Sequence, residues 1–83
     1  MPNKTVTRTQ TGVRIESSLL KVLKGLAEYT NLSLGDLLEG IVLHAFEGKA
    51  PFQPATQEII QQLKDVYGCD LTAADSHKLE ETG

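Results

Sequence analysis

The sequence predicts a mainly α-helical chain that opens with one short β-strand, and three observations carry that expectation. At Thr11 to Ile15 the side chains alternate. Thr11, Val13 and Ile15 fall on one side, Gly12 and Arg14 on the other, which is the two-residue period of a half-covered strand. The period then lengthens: Leu19, Val22, Leu23, Leu26 and Ala27 recur at three- and four-residue spacing, one apolar stripe on a helix. A second and cleaner stripe follows in Leu34, Leu37, Leu38, Ile41, Val42, Ala45 and Phe46. One half-apolar strand and two amphipathic helices must bury their faces against something.

The elements follow in order. Residues 1–9 are polar, with Lys4 and Arg8, and read as a flexible basic arm. The strand ends at Glu16-Ser17-Ser18, where Ser17 or Glu16 can accept hydrogen bonds from the free N–H groups of a first helix, expected over about 18–30. Gly25 inside that helix costs about 1 kcal/mol relative to alanine. It reads as an exposed position, with close approach of a neighbouring helix as the alternative. Asn31 tolerates the left-handed conformation that ends a helix. Ser33 can cap the second helix, Asp36 stands in the place of the capping-box Glu, and Leu32 and Leu37 can staple the turn. Gly48 stops that helix near Glu47. Pro51 and Pro54 make 49–54 an extended linker, with Phe52 packing back on the core. Residues 57–67 read as a third helix with Ile59, Ile60, Leu63, Val66 and Tyr67 on one side and Gly68 as its stop. Thr72 to Asp75 is a further cap signature.

Eighty-three residues make one small domain, in which only about 60% of the chain's surface can be buried. Cys69 is the single cysteine, so no disulfide can reinforce it, and self-association is the economical remedy. The lone thiol fits a reducing compartment. The N-terminus has no apolar signal-peptide core and no run is long enough to span a bilayer, so a cytoplasmic, non-membrane protein is expected.

The net charge of −3 hides a segregation. Residues 1–24 carry Lys4, Arg8, Arg14, Lys21 and Lys24 against Glu16 alone. Residues 50–83 carry Lys64 and Lys78 against Glu58, Asp65, Asp70, Asp75, Glu80 and Glu81. A polyanion would meet the N-terminal end. Catalysis has little to work with. His44, His77 and Cys69 are the only histidines and cysteine, without nucleophile, phosphate-loop or metal-ligand spacing. The expectation is a non-enzyme with no metal and no cofactor.

The order strand, helix, capped turn, helix resembles the ribbon-helix-helix family of bacterial and phage regulators, the Arc, MetJ and CopG class. The resemblance rests on Gly12-Val13-Arg14-Ile15-Glu16, on Leu19, Val22, Leu23, Leu26 and Ala27, and on Asn31-Leu32-Ser33-Leu34 with Asp36-Leu37-Leu38. It covers about half of the chain. It implies a homodimer whose two strands pair into an antiparallel ribbon, with a ribbon-helix-helix unit over 10–48 and an acidic helical extension over 55–83. A lone strand does need a partner for its backbone groups. The dimer core implied is Val13, Ile15, Leu19, Val22, Leu23, Leu26, Leu37, Leu38, Ile41, Val42 and Phe46.

The resemblance further implies base contacts in the major groove of double-stranded DNA from Gln10, Gly12 and Arg14. Arginine suits guanine and glutamine suits adenine by two-point hydrogen bonding, whereas Gly12 offers no side chain. The alternative for Arg14 is a salt bridge to Glu16. Phosphate contacts are implied for Ser33, Leu34 and Gly35 at the second helix's N-terminus, with Lys4 and Arg8 adding non-specific attraction. The leading function is a sequence-specific DNA-binding transcriptional regulator. Alternatives are an antitoxin that binds a protein toxin through 50–83, and an interaction module of the same fold without DNA binding.

Overall fold

The computed structural model describes residues 4–82. Residues 1–3 of the expected arm and the last residue of the C-terminal extension lie outside the described residues. Three helices follow one another: α1 at Ser17–Thr30, α2 at Leu34–Phe46 and α3 at Pro54–Tyr67, with a short 3-10 turn at Ala73–Asp75. No strand is present among the described residues.

That absence corrects the expected fold. A ribbon-helix-helix protein needs a β-ribbon, and residues 11–15 form none; the fold is three helices. The alternation in this stretch is present, but a strand is completed by a neighbour that takes its N–H and C=O groups. Nothing else in the described chain supplies one. Residues 4–14 are exposed throughout, and Val13, assigned to a buried face, is 74% exposed.

Helix ends are set by local chemistry. The Glu16 carboxylate accepts from the Leu19 N–H at 2.9 Å and from the Ser18 hydroxyl at 2.6 Å, satisfying donors that α1 itself cannot. Asn31 ends α1 in the left-handed conformation, φ 59°. There its N–H reaches the Glu28 carbonyl at 3.2 Å and the Leu32 N–H reaches Ala27 at 2.9 Å, the paired bonds of a Schellman closure. Ser33 Oγ accepts the Asp36 N–H at 3.1 Å to open α2. Only this half of the expected capping box forms. Asp36 is a methylene shorter than the usual Glu. Gly68, at φ 65°, closes α3 as Asn31 closes α1, with the Cys69 N–H on the Lys64 carbonyl at 2.8 Å.

The start of α3 is a second correction. The helix begins at Pro54, inside the segment expected to be linker. Proline at a first helical position loses no hydrogen bond, and its fixed φ suits the helix, so Pro54 opens α3, while Pro51 lies in a bend before it.

Leu26, Ala27 and Leu37 form the buried centre, with Leu23, Ile41, Phe52, Ile59, Ile60 and Leu63 packed around it. Most of the packing joins α1 to α3; α2 runs against α1 and makes no close helix pair with α3. Phe52 thus anchors the linker, while Val66 stays exposed at the stripe's edge. Gly25 is not an open position. A Cβ there would stand 3.0 Å from Leu63 Cδ2 and 3.6 Å from the Tyr67 ring, so the missing side chain lets α3 approach α1. Gly25→Leu is therefore expected to lower stability by about 2–3 kcal/mol through overpacking, despite leucine's better helix propensity. Denaturant midpoints measure this, and an unchanged midpoint would mean that α3 does not sit on Gly25.

No helix among the described residues is long and apolar enough to cross a membrane.

Candidate nucleic-acid interface

The basic residues gather on the outside of the three-helix body. Lys4, Arg8 and Arg14 stand on the extended segment before α1, and Lys21 and Lys24, three apart on α1, share one of its faces; all five are exposed. The single acidic residue of this stretch does not offset them evenly. Glu16 is turned into the start of α1, where first the Ser18 hydroxyl and then the backbone N–H groups of Leu19 and Ser18 hold its carboxyl below the ordinary glutamate range.

Two of the cations meet carboxylates from distant parts of the chain. Arg8 lies across α2 and holds Glu39 in a two-point fork, Nε to Oε2 and Nη2 to Oε1, both at 2.8 Å. This fork lowers the Glu39 carboxyl pKa and raises that of Arg8. Arg14 donates from Nη2 to Glu81 in the C-terminal tail, not to Glu16. Both pairs are in water, where ion pairs exchange readily and contribute little to stability.

Of the residues implied for base contact, Gln10, Gly12 and Arg14 are all exposed on this segment, and a Cβ on Gly12 would meet nothing within 4 Å. Of those implied for phosphate contact, Lys4 and Arg8 lie on the same segment. Ser33 and Gly35 are exposed at the N-terminus of α2 and Leu34 is half-buried. As at any helix start, the Leu34 and Gly35 N–H groups have no intrahelical acceptor, while Ser33 Oγ is occupied by Asp36. The Arg8–Glu39 pair brings the arm to α2, the element that carries this N-terminus.

The residues implied for a dimer core divide in three. Val22, Leu26 and Leu37 are buried within the protomer. Ile15, Leu19, Leu23, Leu38 and Ile41 are half-buried. Val13, Val42 and Phe46 face solvent. Leu38, Val42 and Phe46, four residues apart, make a second stripe beside the one that Leu37 and Ile41 press onto α1. Phe46 is 81% exposed and nearby Leu43 63%.

Sequence reasoning missed Glu39 and Glu81 as partners of the arginines. The pairs are separated by 31 and 67 residues, and no local signal encodes them. The His44 ring contacts its own helix, Nδ1 to the Gly40 carbonyl at 2.7 Å, and Cys69 is buried beside the end of α3. Neither joins the basic surface. No family model matches the chain, and no curated protein or solved structure matches it.

Proposed function

We propose that the protein is a DNA-binding regulator that works as a homodimer and meets the phosphate backbone with its N-terminal segment and the adjoining face of α1. The observation that carries this reading is the exposure of Lys4, Arg8, Arg14, Lys21 and Lys24 on one contiguous stretch whose only carboxylate, Glu16, is engaged at the start of α1. Cations so placed displace counterions from a duplex, and that release drives binding. The segment before α1 is exposed from residue 4 to residue 14, where it can meet a groove. Residues 50–83 carry six carboxylates against two lysines, and one of these carboxylates, Glu81, already meets a cation of this stretch.

Self-association is supported by surface. A compact 9.0 kDa chain exposes about 4,900 Å², whereas this one exposes 7229 Å². The extended ends supply part of the excess, and the outer stripe of α2 lies within the rest. A standard interface takes about 800 Å² from each partner. Two copies would present two basic segments to one duplex, multiplying affinity.

Titration of a random duplex at several salt concentrations tests the reading. The observed affinity should fall steeply with salt. Lys21→Gln/Lys24→Gln should flatten the log–log slope by about 1–2 per protomer, since each neutralised phosphate adds about 0.9 to it. No binding at about 50 mM salt, where such contacts are strong, would overturn DNA binding. The exposed α2 stripe favours a protein-interaction module as the second reading.

A further inference from the structure

We propose that the acidic C-terminal tail is an internal competitor for the polyanion, closing over Arg14 until a nucleic-acid phosphate displaces it. The inference rests on the DNA-binding reading above and adds a mode of regulation to it.

The geometry places the two chain ends together. Arg14 to Ser17 and Leu79 to Thr82 together line one open cleft, and Glu81 takes the Arg14 guanidinium there. A carboxylate presents to arginine the same two-oxygen edge that a phosphate presents. The tail therefore occupies the cation through the chemistry that a nucleic acid would use. Glu80 lines the same cleft and adds a second negative charge. Glu16 lines it too, but its carboxylate is taken by the Ser18 hydroxyl and the Leu19 N–H, and earlier in the tail Asp75 is committed to the N–H and hydroxyl of Thr72.

The contact has the strength that a gate needs. Both side chains are mostly in water, 84% and 64% exposed, so the pair is screened and opens readily. Tethering to the same molecule offsets that weakness by holding the tail at a high effective concentration. One carboxylate on one arginine cannot hold against a row of phosphates, but it can set the threshold at which a duplex engages.

The test compares Glu80→Gln/Glu81→Gln with a control that removes the same two charges elsewhere, Glu58→Gln/Asp70→Asn, both exposed and outside the cleft. Each is titrated with the random duplex at about 100 mM salt, where the Debye length is about 10 Å, after circular dichroism has shown equal helicity. The tail variant should bind roughly 2–5-fold more tightly than the wild type, the upper range of losing one exposed ion pair. The control should change by less than half of that on a logarithmic scale. In parallel, the Arg14 Nε–H resonance of the free protein should move on Glu81→Gln. Equal shifts in affinity for both variants, no shift for the tail variant, or an unmoved Arg14 resonance would each overturn the competitor while leaving DNA binding intact. A moved Arg14 resonance with no DNA binding by any form would instead overturn the DNA-binding reading, and the competitor with it.

Discussion

A chain that stops after Lys49 is expected to lose most of its folded structure. Removing α3 strips α1 of its principal neighbour, and takes Phe52, Ile59, Ile60 and Leu63 away from the cluster around Leu26. A fully buried side chain of this kind stabilises by about 1.5–3 kcal/mol. These four are half-buried, so together they contribute about 3–6 kcal/mol on that scale. A chain of this length has roughly 4–12 kcal/mol in total. The remainder would consist of α1, with Leu26 and Ala27 uncovered, and α2, which lacks a contact of its own with α3. Helices of 14 and 13 residues are marginal in water without tertiary packing. The measurement is far-UV circular dichroism and denaturant unfolding of the full and shortened chains. Equal midpoints would show that α3 is an appendage and that the core lies elsewhere.

What the sequence made legible and what it hid divide along the range of the interactions. Helix ends could be read because their chemistry lies within a turn. Ser33 before α2, Asn31 after α1 and Gly68 after α3 each satisfy backbone groups a few residues away. Pro54 misleads because proline both breaks helices and opens them, and only the helix-forming residues after it separate the two roles. The strand failed for the opposite reason. Alternation at Thr11 to Ile15 is a local property, but a strand is completed by a distant partner, and the described chain has none. Gly25 shows the same limit. Its spacing on α1 reveals that it is a glycine inside a helix; only the position of Leu63, which no local pattern encodes, tells that α3 needs the space. The candidate site was half legible. The run of cations stands in the sequence, but their engagement by Glu39 and Glu81 is long-range and turns a bare basic segment into one already occupied by carboxylates of its own chain.

Val42→Asp/Phe46→Asp is expected to convert the proposed dimer into a monomer without unfolding it. Both positions face solvent in the protomer, so an aspartate at either leaves no cavity and buries no charge within the helical body. α2 is apolar on more than the face it gives to α1: Leu37 and Ile41 meet the core, while Leu38, Val42 and Phe46 continue the apolar surface outwards. A helix apolar over so wide an arc is ordinarily covered on both sides, and in a homodimer the second cover is the same stripe of another copy. Isologous pairing counts every substitution twice. Loss of a central aromatic costs about 2 kcal/mol or more at an interface, so the double variant should weaken association by at least about 3 kcal/mol, more than roughly 100-fold in Kd. Sedimentation equilibrium at micromolar concentration should give twice 9.0 kDa for the wild type and 9.0 kDa for the variant. The wild-type melting temperature should rise with protein concentration, as linkage of folding to association requires, and that of the variant should not. A wild type that sediments as a monomer would leave the α2 stripe to a different partner. A variant that remains dimeric would move the interface off α2.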